Sequence, residues 1–170
     1  MDSYFKKSCC FIIFLDEERQ DELEIIQHTL AVVAIFPLQI YIYAKKGFQL
    51  PVGSDPAIKL FTITKETKEF QRQEAFEFAF KNDFRKVMLF ENNTLQLEEK
   101  HLLEGFNCLK ILEFCIGPLA SGKYYLLGMN YFEPALFNHA SWQSNELTKD
   151  LIREIGKLKE ALYKLPVLNQ

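Results

Sequence analysis

Few groups in this chain could do chemistry, and they are scattered. Glu91 and Asn92 follow the apolar run Lys86-Val87-Met88-Leu89-Phe90, which puts a carboxylate and an amide at the end of an expected strand. Ser121-Gly122-Lys123 leads through a glycine-containing loop into Tyr124-Tyr125-Leu126-Leu127-Gly128. An ammonium such as that of Lys123 can meet a phosphate or carboxylate directly, with no metal between them. The plainer reading is a lysine snorkelling at a strand edge. Trp142, the single tryptophan, has the surface to stack on a sugar or base, or to anchor a core. Successive strand residues face opposite ways, so Glu91 is expected to point away from Asn92, as a solvated glutamate at a strand end. By the same rule one of Tyr124 and Tyr125 should line a cleft while the other enters the core.

Other chemistries are disfavoured. His28, His101 and His139 lack metal-ligand spacing, and none is assigned to catalysis. Cys9, Cys10, Cys108 and Cys115 form no Cys-x-x-Cys pair and read as buried, reduced thiols. No serine sits in a nucleophile elbow, and Gly117-Pro118 through Gly122 lacks the spacing of a phosphate-binding loop. A net charge of -3 gives no large positive field, so nucleic acid is not an expected partner. Asp16-Glu17-Glu18 cuts the first apolar stretch far short of a signal peptide or membrane span, and a cytoplasmic location is expected. Asn92-Asn93-Thr94 therefore matches a glycosylation acceptor by coincidence.

The elements that must position these groups follow from periodicity. With 170 residues, 48% hydrophobic and 25% charged, a single globular domain over residues 1–170 is expected. Cys9 to Leu15 reads as a strand buried on both faces. An acidic opening then leads into a helix carrying Leu23, Ile26, Leu30 and Val33 at helical spacing. Strands are predicted over Gln39 to Ala44, Lys59 to Ile63, Lys86 to Phe90, Ile111 to Ile116 and Lys123 to Gly128. Helices are predicted over Lys65 to Lys81, with Phe70, Ala75, Phe78 and Ala79 on one stripe, over Glu98 to Asn107, and over Ser144 to Tyr163 with Ser144 as its cap. Lys45-Lys46-Gly47 reads as a turn, and Pro51, Gly53, Ser54, Asp55 and Pro56 mark an irregular loop. Strands alternating with helices predict an α/β fold: one three-layer α/β/α domain with a mostly parallel central sheet.

Phe70 to Pro166 resembles a family of small bacterial glycosyltransferase-like proteins with the GT-A nucleotide-diphospho-sugar transferase fold. Ile116-Gly117-Pro118 with Tyr124-Tyr125-Leu126-Leu127-Gly128 looks like the family's GPAxDGGYYLLG segment. Pro134-Ala135-Leu136-Phe137, Trp142 and Leu165-Pro166 resemble its PxLF, WST and LPxLxD motifs. The resemblance implies an aspartate at the end of the fourth strand that holds a divalent cation bridging a sugar-nucleotide diphosphate. Against that pattern, Phe90-Glu91-Asn92-Asn93-Thr94 stands where the family has GSDCP, so Asn92 takes the aspartate's place. Ser121-Gly122-Lys123 stands for Asp-Gly-Gly, and Gln143-Ser144-Asn145 for Ser-Thr-Glu. Asp16-Glu17-Glu18-Arg19-Gln20 replaces a basic, glycine-containing loop.

An amide offers a hard cation one neutral oxygen and no charge. The resemblance therefore implies a sugar-nucleotide transferase relative with lost or much reduced metal-dependent activity. The alternative is a non-catalytic binding or regulatory protein for a small anionic ligand or a protein partner. Candidate ligand-binding residues are Glu91, Asn92, Ser121, Gly122, Lys123, Tyr124 and Trp142. No cofactor is expected, and magnesium or manganese only if the ancestral site survives. The expected partner is a sugar nucleotide or other small anion, with a homo-oligomer or a protein partner also open.

Overall fold

A computed structural model describes residues 8–15, 20–50 and 55–170. The expectations for the acidic segment 16–19 and for loop residues 51–54 lie outside the described residues. In chain order the elements are β1 (Cys9–Leu15), α1 (Glu22–Val33), β2 (Gln39–Ala44), β3 (Ile58–Thr62), α2 (Lys68–Lys81), β4 (Lys86–Phe90), α3 (Glu99–Cys108), β5 (Phe114–Pro118), β6 (Tyr124–Met129), α4 (Ala135–His139), α5 (Leu147–Leu158) and β7 (Leu162–Lys164). The strands form one sheet in the order β3-β2-β1-β4-β6-β5-β7. β6 alone of these runs against its neighbours, antiparallel to both β4 and β5.

Every residue of β1 is buried because helices cover both faces of the sheet there. Cys9, Phe11 and Ile13 pack with Ile25 and Ile26 of α1 and with Leu102 and Phe106 of α3. Cys10, Ile12 and Phe14 pack with Ala75, Phe76 and Ala79 of α2 and with Leu151 and Ile155 of α5. These are the expected three layers, and the strand's two-residue period sorts its side chains between the two cores. Among the described residues no helix is long and apolar enough to cross a membrane.

Three helix expectations need correction. The buried stripe of α2 is Arg72, Ala75, Phe76 and Ala79, while Phe70 and Phe78 are exposed. An apolar-only pattern misses this stripe because its first member is charged. The last helix does not run to Tyr163: Lys159 turns left-handed at φ 60°, and Leu162–Lys164 joins the sheet parallel to β5. Leu158 and Leu162 both pack on the same core, so their four-residue spacing imitates a continuing helix across the break. The helix begins at Leu147, and Ser144 instead accepts the Glu146 amide on Oγ at 2.9 Å. The strand expected from Ile111 starts at Phe114, with Ile111 exposed in the turn that closes α3.

His101 shows how one helix start is held. Its buried ring accepts the Glu98 amide on Nδ1 at 3.0 Å, which requires the neutral imidazole. Burial lowers its pKa below the ordinary histidine value. The unfolded chain then takes up a proton near the ordinary value that the folded chain refuses, so this residue's contribution to stability is fully present above about pH 6.5 and is lost as pH drops below it. His101→Gln keeps an acceptor for the amide and should flatten this part of an unfolding-midpoint profile measured between neutral and mildly acidic pH.

Candidate functional site

The chain leaves the C-terminal end of β4 in two directions. Phe90 points into the α1 and α3 layer, stacked 6.2 Å from Phe11. Asn92 adopts a left-handed conformation at φ 48°, is buried, and directs Nδ2 at the Glu22 carbonyl, 3.4 Å away at the start of α1. Asn92 therefore points toward α1 and does not line the cleft described below. Its divergence from Glu91 is the one expected from strand alternation.

Glu91 faces the α2 and α5 layer and is not the solvated glutamate expected. Arg72 donates from Nε to Oε1 at 3.1 Å and from Nη2 to Oε2, and the Tyr124 hydroxyl also donates to Oε1. Arg72 is wholly buried, its guanidinium 4.0 Å from the Phe14 ring centroid. A buried arginine is tolerated where a bidentate carboxylate and an aromatic face receive it. Tyr124 thus takes the cleft side of β6, while Tyr125 enters the opposite core with its hydroxyl on the Pro166 carbonyl at 3.1 Å.

A cleft of about 110 Å³ opens beside this network, walled by Lys68, Glu91, Asn93, Lys123, Tyr124 and Trp142 among others. Four sequence candidates, Glu91, Lys123, Tyr124 and Trp142, are brought together here. Trp142 behaves as the anchor of the plainer reading. Its ring stacks on Phe137 at 5.4 Å, meets Tyr124 edge-on, and donates Nε1–H to the Leu136 carbonyl. Ser121 drops out because the Leu119–Gly122 turn leaves it exposed and outside the cleft. Gly122 contributes backbone only: its carbonyl accepts the Thr148 amide at 3.1 Å, tying the loop to the first turn of α5.

Sequence reading missed Lys68, Arg72 and Asn93. Arg72 had a local signal, since it completes a helical stripe with Ala75, Phe76 and Ala79. Asn93 had none. It is 5% exposed, donates Nδ2–H to the Tyr124 carbonyl at 3.1 Å, and its Oδ1 has no partner. Besides Glu91, which Arg72 compensates, the ionisable residues of the cleft wall are Lys68 and Lys123.

Among the described residues, the end of β4 offers a divalent cation no unengaged carboxylate. Among those described there is no group of three or more His, Cys, Asp and Glu side chains able to hold one. At the expected position stands an amide turned toward α1, and both oxygens of the neighbouring carboxylate are engaged by an arginine and a tyrosine.

The mostly parallel seven-stranded sheet, with a cleft at the end of β4, has the fold of the nucleotide-diphospho-sugar transferase structures compared below. The model of a family described as an uncharacterized protein conserved in bacteria (DUF2064) matches residues 68–144, which carry α2, β4, β6 and the cleft wall as far as Ser144. A Desulfovibrio desulfuricans G20 protein assigned as a nucleotide-diphospho-sugar transferase superposes with a TM-score of 0.82 at 16% identity, over 95% of this chain and 81% of that one. The 4-diphosphocytidyl-2C-methyl-D-erythritol synthase of Anaerococcus prevotii DSM 20548 gives 0.62 at 13% identity, over 94% and 87%. Rv0371C of Mycobacterium tuberculosis H37Rv, in complex with manganese, gives 0.57 at 11% identity, over 97% and 90%. No curated protein matches the sequence.

Proposed function

We propose that this protein is a relative of the sugar-nucleotide transferases that has lost metal-dependent transfer and uses its cleft to bind an anionic ligand without a divalent cation. One observation carries the reading: Glu91, the carboxylate of the cleft wall, is held on both oxygens by Arg72 and Tyr124. Recruiting it for a metal would leave a buried guanidinium unpaired, at a cost of several kcal/mol. The fold supports a nucleotide-type ligand, since open α/β sheets bind ligands beyond the carboxyl ends of their strands. A binding or regulatory role for the same cleft is the second reading, favoured by its having no unengaged carboxylate among the described lining residues.

Calorimetric titration with UDP- and GDP-sugars, with and without manganese, separates the possibilities. Binding whose affinity manganese leaves unchanged is the expected result. A manganese-dependent gain of about tenfold or more, together with turnover, would restore the metal-dependent enzyme. No binding at all would point to a protein partner.

A further inference from the structure

We propose that residues 165–169 form a strap that positions the Lys123 turn from outside the cleft, with Thr94 as the latch on the strap's far end. The strap works through protein contacts alone, so its effect is the same whichever ligand the cleft takes.

Near the sheet the two walls of the cleft bond each other directly. The Glu91 amide donates to the Tyr125 carbonyl at 3.1 Å, and Asn93 Nδ2 donates to the Tyr124 carbonyl. Beyond the sheet the walls part, into segment 94–96 after β4 and turn 119–123 between β5 and β6. That turn presents Lys123 to the cleft, with the Leu119 amide on the Lys123 carbonyl at 2.8 Å. Through the Gly122 carbonyl and the Thr148 amide it also fixes the start of α5, next to the wall that Trp142 and Leu147 supply.

The strap bridges the two parted segments. After β7 the chain continues alongside β5, with the Leu165 amide on the Ile116 carbonyl at 2.8 Å and the Leu168 amide on the Pro118 carbonyl at 3.1 Å. Midway, the Tyr125 hydroxyl donates to the Pro166 carbonyl, and the Leu165 and Leu168 side chains enter the α1 and α3 core. The Leu168 carbonyl accepts the Ala120 amide at 2.9 Å, inside the Lys123 turn. The very next residue makes the other attachment: Thr94 donates Oγ1–H to the Asn169 carbonyl at 2.6 Å, and the Asn169 amide donates to Gln96 Oε1 at 2.9 Å. Thr94 Oγ1 also accepts the Gln96 amide at 3.1 Å, so one buried hydroxyl closes segment and strap together. Without it the strap's end rests on the exposed Gln96 side chain, and slack there reaches Ala120 one residue along the strap.

The test compares Thr94→Val, which keeps the side chain's shape without its hydroxyl, with Thr94→Ser, which keeps the hydroxyl, in the full chain. Two readouts are taken under native conditions: amide hydrogen exchange by NMR, and acrylamide quenching of Trp142, the single tryptophan, buried in the cleft wall. Thr94→Val should speed exchange of the Ala120 amide by about tenfold and raise the quenching constant of Trp142 by about twofold. Thr94→Ser should leave both within about twofold of the unaltered protein. Tyr163→Phe is the control, since it removes a hydrogen bond that β7 makes to Glu104 of α3 rather than to the cleft walls. It should move neither readout. A contact that merely adds stability would lower the unfolding midpoint of Thr94→Val while leaving native quenching unchanged, and that result would overturn the proposal. So would Ala120 exchange at the unaltered rate, failure of serine to restore it, or an equal effect of Tyr163→Phe.

Discussion

Arg72→Met should lower the free energy of unfolding by about 3–5 kcal/mol, because it strands Glu91 as an uncompensated charge in a largely buried setting. The guanidinium is wholly buried, held between the Phe14 ring and the carboxylate, and Glu91 is itself 13% exposed. Arg72→Met combined with Glu91→Gln removes both charges and should recover most of the loss, since buried pairs replaced together by groups of similar volume are often near neutral. Urea unfolding of the two single variants and the double variant measures the coupling. A single-variant cost below about 1 kcal/mol would mean that the pair is solvated and that Glu91 is available for other work.

Gly122→Ala is the second large effect, and it acts on the cleft through the backbone. Gly122 sits at φ 87°, where a side chain costs about 1–2 kcal/mol of backbone strain. A Cβ there would stand 2.3 Å from the Asn145 backbone carbonyl oxygen, so main chain must move to admit it. Forced repacking of this kind costs about 1–3 kcal/mol. Together these predict a loss of about 3 kcal/mol, or a melting temperature lower by about 10 °C in a chain of this length. Because the Gly122 carbonyl holds the Thr148 amide, the start of α5 should shift and ligand binding should fall with it. Ser121→Ala, one residue away and exposed, should stay within about 0.5 kcal/mol. A Gly122→Ala protein with an unchanged melting temperature would refute this account of the turn.

The contrast between residues 121 and 122 illustrates what could be read beforehand. That a loop of this composition joins two adjacent strands is legible from its glycine and from the apolar runs on either side. Which of its residues faces the cleft depends on the turn's dihedrals and on α5 lying across it, so Ser121, a ligand-binding candidate, is exposed outside the cleft. Trp142 is a similar case. Its stacking capacity is a property of the residue, but Phe137 already covers one face. Lys123 reaches the cleft in company with Lys68, which begins a helix far earlier in the chain.

The sequence by itself determined six of the seven described strands of the central sheet, all but β7, together with the layered α/β plan and the loss of carboxylates at the positions where the resemblance places them. These are legible because burial leaves a periodic trace in the chain, and because the presence or absence of a charge is a property of one residue. Tertiary structure alone decided on which face of β4 the chemistry gathers. Arg72 and Glu91 are 19 residues apart, and only the packing of α2 on the sheet makes them a pair. No local pattern encodes that meeting: a buried charge is stable only where a distant partner comes to hold it.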